Sequence, residues 1–204
     1  MSAKLFKIRA SSAGNIIGAK PPKLLKGHKT IAENWVKERI YGVKKTFTSK
    51  YTEKGVLVED EAIEYVIANA DLPLLAEKND KRFEDTYFTG TPDIILPDEI
   101  IDIKSPWDCF TFPLFEKDLP EKKYADQAQV YMHLTGKKKA RVIYCLMNTP
   151  ENVADWEDHH DYSAVKPEYR IKQYSVKYDP KRIEMLQKQV ELIREYIETL
   201  TKNN

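Results

Sequence analysis

From Tyr87 to Pro106 the chain reads Tyr-Phe-Thr-Gly-Thr-Pro-Asp-Ile-Ile-Leu-Pro-Asp-Glu-Ile-Ile-Asp-Ile-Lys-Ser-Pro, and this stretch constrains the fold more than any other. Two β-branched runs, 91–96 and 99–104, flank Pro97-Asp98, the pattern of a short hairpin. With Pro97-Asp98 as the turn, cross-strand partners have numbers that sum to 195, which sets Asp93 opposite Asp102. Directly opposed residues share a face, with Cβ atoms roughly 4.5–5.5 Å apart. Lys104 returns to that face because strand side chains alternate. Opposed like charges destabilise a hairpin, so two carboxylates and an ammonium on one face need a reason. One reading is a solvent-facing Asp–Lys pair; the other is a divalent-cation site. Ile94, Ile95, Leu96, Ile100, Ile101 and Ile103 imply buried strands, and unpaired buried carboxylates are costly. That favours the cation site. Mg²⁺ suits it, taking few carboxylates plus water and phosphate oxygens, with Lys104 beside the attacking water or the phosphate.

The 204 residues suit one domain, 1–204, with a sizeable core. No apolar run approaches a membrane span, and the N-terminus lacks a signal-peptide pattern. A cytoplasmic setting without membrane contact is therefore expected. Cys109 and Cys145 are too few for a disulfide framework or an iron–sulfur cluster. The net charge of +1 hides an asymmetry. Residues 1–54 hold 13 Lys/Arg against 3 acids, a net of +10, leaving −9 for the rest. Such a basic part reads either as a DNA-facing surface or as a solvated lysine-rich face.

Around the hairpin the elements read in order. Residues 5–18 form an extended segment and a short helix, capped by Ser11 or Ser12 and stopped at Gly18. Its free N–H groups could cradle a phosphate. A basic linker containing an exposed His28 leads to a helix from Thr30 to about Tyr41. A longer helix runs from about Thr52 to Ala70. On it Glu59, one turn before Ile63, borders the apolar stripe and could reach a metal held by the hairpin. A strand at 82–88 leads through Gly90 into the hairpin. Residues 107–121, with Trp107, Phe110, Phe112 and Phe115, form a loop with a short helix. The helix at 122–135 places Tyr124, Gln127 and Tyr131 on one face and ends at Gly136. Strands follow at 140–147 and 169–178. Between them, Trp156-Glu-Asp-His-His-Asp161 is an exposed loop whose consecutive ligand-type residues cannot all converge. Asp179 and Pro180 open a final helix, 179–202. Its apolar positions (Ile183, Leu186, Val190, Ile193, Ile197, Leu200) follow a 3.5 period, fitting either its own sheet or an oligomer seam. The whole is α/β, a mixed central β-sheet flanked by α-helices.

These pieces resemble the PD-(D/E)XK nuclease superfamily, in the branch of lambda exonuclease and the YqaJ-like viral recombinases. The resemblance is carried by Thr91-Pro92-Asp93 and Asp102-Ile103-Lys104-Ser105-Pro106. Three further segments lie in family order: Ile8–Gly18, Gly55–Ala62 with Glu59, and Tyr124–Tyr131 with Gln127 and Gln129. It implies a restriction-endonuclease-like core. It also implies Glu59, Asp93 and Asp102 as metal ligands with the Ile103 carbonyl, Lys104 as the catalytic lysine, and Gln127 or Gln129 in support. Ser11, with Lys4, Arg9 and Tyr131, would hold DNA phosphates. The implied activity is Mg²⁺-dependent hydrolysis of DNA phosphodiester bonds, with Mn²⁺ able to substitute, as a phage-type 5′→3′ double-strand exonuclease in recombination. Linear duplex DNA, a single-strand annealing protein and further copies of the chain would be its partners, in a bacterial or phage-infected cell. Other nucleases of the superfamily, or a non-catalytic DNA-binding module on the same fold, are the alternatives. Two features depart from the branch: the chain starts ten residues before Ser11, and no basic residue lies between Lys104 and Lys117.

Overall fold

The β-branched runs pair as their spacing demands. The structure, a computed structural model, describes residues 2–17, 22–46, 48–73, 75–154 and 160–202. Gly18 and most of the Trp156–Asp161 run lie outside them. In chain order the strands are β1 (Ile8–Arg9), β2 (Phe83–Glu84), β3 (Phe88–Gly90), β4 (Ile94–Ile95), β5 (Glu99–Lys104), β6 (Lys139–Cys145) and β7 (Ile171–Lys177). The α-helices are α1 (Lys26–Tyr41), α2 (Lys50–Leu57), α3 (Glu59–Asn69), α4 (Lys122–Thr135) and α5 (Pro180–Lys202). One mixed sheet has the order β4-β5-β6-β7, and a smaller one the order β1-β3-β2.

Ile94 pairs with Ile101 and Ile95 with Ile100, so the partners do sum to 195. Leu96 N donates to the Glu99 carbonyl at 2.8 Å and closes the turn. The central pairing, β5 with β6, is parallel and joins Asp102 to Val142 and Lys104 to Tyr144. Period-2 alternation then divides the strands between two apolar layers. Ile101, Ile143 and Cys145 pack with Ala62, Ile63 and Val66 of α3. Ile100, Ala140 and Val142 join the layer of α4 and α5. Asp102 and Lys104 belong to this second face, at the end of β5 where the apolar filling stops.

Several expected boundaries move. The helix expected over 52–70 breaks at Val58, which has φ −99° and ψ 5°. Its halves have different anchors: α3 lies on the sheet, whereas α2 is hooked by a buried lysine. Lys54 donates to the carbonyls of Trp107 (2.6 Å) and Met147 (2.8 Å) and to Thr149 Oγ1 (3.1 Å). Burial lowers its pKa to about 8. Helix α1 begins four residues before Thr30, at Lys26. His28 is the reason, and it is buried rather than exposed. Its Nδ1 accepts from Leu25 N at 3.2 Å and contacts Gln189 Nε2 of α5 at 2.9 Å. Ser11 and Ser12 cap nothing; they lie inside a 3₁₀ helix, Ala10–Ile16, that follows Arg9 without a side-chain cap. No helix forms over 107–121, where Asp108 and Thr111 bond each other and stabilise turns. On α5, Ile183, Leu186, Val190, Ile193 and Ile197 are buried in the chain's own core, so the 3.5-period face is consumed within the molecule. Among the described residues no helix is long and apolar enough to cross a membrane.

Candidate active site

The open end of β5 forms the floor of a cleft of about 800 Å³. Asp102, 1% exposed, is held from two directions. Gln127 Nε2 donates to its Oδ1 at 3.1 Å, and Lys104 Nζ lies 2.8 Å from its Oδ2. That second contact is an ion pair without a well-aligned hydrogen bond, so Oδ2 keeps an unsatisfied lone pair in a buried place. Gln127 also donates to Tyr131 Oη (3.0 Å), while its Oε1 accepts from Lys104 (3.1 Å). The Lys104 ammonium sits 4.8 Å above the Tyr124 ring. Tyr124, Gln127 and Tyr131 thus converge on one site, as their i, i+3, i+7 spacing on α4 requires.

Asp93 arrives from the bend before β4. Its Oδ2 accepts from Ile103 N at 2.6 Å, and its carbonyl accepts from Asn79 N at 2.7 Å. Burial and the neighbouring Asp102 carboxylate push its pKa up to about 7. Burial likewise raises Asp102. Burial would lower Lys104, but Asp102 and Asp93 outweigh it and the ammonium form is favoured. Gly90 keeps the floor closed: a Cβ there would stand 2.6 Å from Tyr131 Cε1 and 2.9 Å from Ala10 Cβ.

No protein-family model and no curated protein matches the chain. Among solved structures it superposes on a phage-related exonuclease from Haemophilus somnus 129PT with a TM-score of 0.85 and 27% identity, covering 97% of this chain and 96% of that one. It also matches the alkaline exonuclease LHK-Exo from Laribacter hongkongensis, with a TM-score of 0.70 at 15% identity over 98% and 94% of the two chains. The complex of LHK-Exo with dAMP gives 0.69 at 16% identity, over 98% and 92%. The chain has the fold of these exonucleases. The restriction-endonuclease-like core implied by the Asp93 and Asp102–Lys104 motifs is therefore present.

Within this exonuclease fold the named residues divide. Asp93, Asp102, Ile103, Lys104, Gln127, Tyr131, Glu59, Ser11 and Arg9 all line the cleft. Glu59 stands apart from the other carboxylates and pairs with Lys78 at 3.5 Å. Among the described residues, no three His, Cys, Asp or Glu side chains converge closely enough to hold a metal ion. The donors nonetheless suit a hard cation: two adjacent carboxylates, one with a buried oxygen lacking an aligned donor. Two residues are elsewhere. Gln129 is buried behind α4, where its Nε2 donates to Lys177 O (2.7 Å) and its Oε1 accepts from Asp179 N (2.8 Å). Two residues from Gln127, it faces away because helical positions i and i+2 do not share a face. Lys4 does not line the cleft; its carbonyl accepts from Arg194 of α5. Sequence reading missed Arg82, Lys78 and Lys123 on the walls and Asn79, which clasps the Asp93 bend. The basic residues around 78–82 were the available signal, obscured by the acidic balance of their half of the chain.

Proposed function

We propose that the protein is a metal-dependent DNA exonuclease, acting 5′→3′ on linear duplex DNA. The observation that carries the reading is the Asp93, Asp102, Lys104 and Gln127 cluster at the floor of the 800 Å³ cleft, on a fold shared with the phage-related exonuclease. A binder of a polyanion gains nothing from enclosed carboxylates facing its ligand.

Asp93 and Asp102, with the Ile103 carbonyl, would hold Mg²⁺ or Mn²⁺, and Glu59 would have to leave Lys78 to join them. When bound, the cation would supply Lewis-acid polarisation of the phosphate and a more acidic water. Lys104 is held by Asp102 and Gln127, which leaves its ammonium to donate to a phosphate oxygen or the attacking water. Gln127 binds Asp102, Lys104 and Tyr131 at once, so it fixes the spacing between carboxylate and ammonium. Such preorganised charge stabilises the transition state without reorganising when charge develops.

The test is digestion of linear and covalently closed circular duplex DNA, with Mg²⁺ or EDTA, by wild type and Lys104→Ala. Expected is Mg²⁺-dependent loss of the linear form alone, with Lys104→Ala slower by about 10²-fold or more. Cutting of the closed circle would indicate an endonuclease. Absence of metal-dependent cleavage of any duplex or single strand would leave a DNA-binding module.

A further inference from the structure

The small sheet turns two arginines, Arg9 and Arg82, toward the cleft on either side of Thr89. Arg9 of β1 is the register partner of Thr89 of β3, so their side chains share a face. Glu84 of β2 is the partner of Thr89 on the other side, and Arg82, two residues earlier, points the same way. On this face Lys7 and Glu84 neutralise each other at 3.3 Å. Arg9 shares the Thr89 rung with that Glu84, which Lys7 engages, and Arg82 lies one rung further along the same face. Thr89, buried, accepts from Arg82 Nε through its Oγ1 at 2.8 Å, which fixes the guanidinium and leaves its outer nitrogens facing the cleft. Asp80 lines the same cleft, yet among the described residues no carboxylate lies within ion-pair distance of either guanidinium. Like charges side by side on a sheet are unfavourable without a counter-ion. Among the described residues neither guanidinium has such a counter-ion, and an anionic ligand would supply one.

We propose that Arg9 and Arg82, flanking Thr89, clamp a backbone phosphate of the substrate next to, and distinct from, the phosphate being cleaved. This rests on the nuclease reading. The scissile phosphate belongs at Asp102 and Lys104, which Gln127 ties together, whereas the two arginines gather at Thr89 on the small sheet. Arginine suits the role because its planar fork takes two phosphate oxygens at once, and Thr89 holds the fork in orientation before the substrate arrives.

The experiment measures binding of a fluorescein-labelled duplex in EDTA, and cleavage in Mg²⁺, for wild type, Arg82→Ala, Arg82→Lys, Arg9→Ala and Thr89→Val. The duplexes carry a neutral methylphosphonate at successive positions of the cleaved strand. Arg82→Ala is expected to bind roughly 5- to 30-fold more weakly and to lower the slope of log K against log salt by about 1. In cleavage the loss falls on KM more than on kcat, and Arg82→Lys recovers only part of it. One methylphosphonate, beside the scissile linkage, weakens wild type but adds nothing to the Arg82→Ala defect. Full additivity at every position would overturn the clamp, as would wild-type affinity in Arg82→Ala while the wild-type enzyme still cleaves. A wild-type protein that neither binds nor cleaves DNA overturns the nuclease reading, and the clamp with it.

Discussion

At Asp93, burial and the Asp102 carboxylate push in the same direction, and the result is a stability cost that the cleft retains. An acid raised from an ordinary 3.8 to about 7 keeps its proton in the folded state over a range where the unfolded chain has lost it. In that window the folded state binds more protons, so stability falls as pH rises. The penalty is absent below about pH 4 and complete above about pH 7. Asp102 acts with the same sign. In EDTA, the protein should therefore be less stable at pH 8 than at pH 5.5. Asp93→Asn should flatten that difference, raise stability at pH 8 by about 1–3 kcal/mol, and abolish cleavage. Thermal melts of the two proteins at both pH values check this. An Asp93→Asn melt that tracks wild type at both would mean that the carboxylate is not strained. Mg²⁺, by replacing the proton, should stabilise wild type more at pH 8 than at pH 5.5 and leave Asp93→Asn nearly unmoved.

The hairpin and α4 show at the scale of elements what a sequence can and cannot carry. The Pro97-Asp98 turn and the two β-branched runs determine register, because a one-residue slip would turn Asp102 into the apolar layer and Ile101 into the cleft. Period alone likewise brings Tyr124, Gln127 and Tyr131 together. Long-range anchors were invisible: nothing local in Lys50–Asn69 announces that Lys54 would be drawn to Trp107, Met147 and Thr149 and break the helix at Val58. His28 was misplaced for the same reason, since its partner Gln189 lies 161 residues away. Gln127 and Gln129 were indistinguishable as types, and the rotation of α4 separates them. Asp126 helps set that rotation through a bidentate pair with Arg182 of α5, at 2.6 and 2.9 Å. The two glutamines should accordingly fail differently. Gln127→Ala should lower kcat by about 10- to 100-fold with a small change in melting temperature. Gln129→Ala strands the Lys177 carbonyl and the Asp179 N–H, and should cost about 1–3 kcal/mol of stability with kcat retained. Paired denaturant titrations and initial rates decide it; a reversed pattern would exchange their roles.

For the molecule as a whole, the decisive quantity is where charge meets DNA. The sequence concentrates its excess of cations in residues 1–54, yet among the described residues of that group Arg9 alone contributes a cation to the cleft lining. Lys54 is buried, Lys29 rests over the Tyr196 ring, and Arg39 stacks on Trp35. The remaining cleft cations, Lys78, Arg82, Lys104 and Lys123, come from the acidic part of the chain. Three of these already have partners: Lys78 with Glu59 and Asp60, Lys104 with Asp102, and Lys123 with Glu121. Each phosphate neutralised on duplex DNA contributes about −0.9 to the slope of log K against log salt. Arg9 and Arg82 alone would give about −2, and all five cations about −4.5. The measured slope, taken in EDTA between 50 and 200 mM salt as an order-of-magnitude range, should fall between these limits. Reversing exposed charges outside the cleft, with Lys37→Glu and Lys44→Glu, should leave it unchanged. A slope steeper than about −6, relieved by those two substitutions, would show that the duplex runs over α1 and the segment after it, and the lysine-rich N-terminal part would then be a second DNA-binding surface instead of a solvated one.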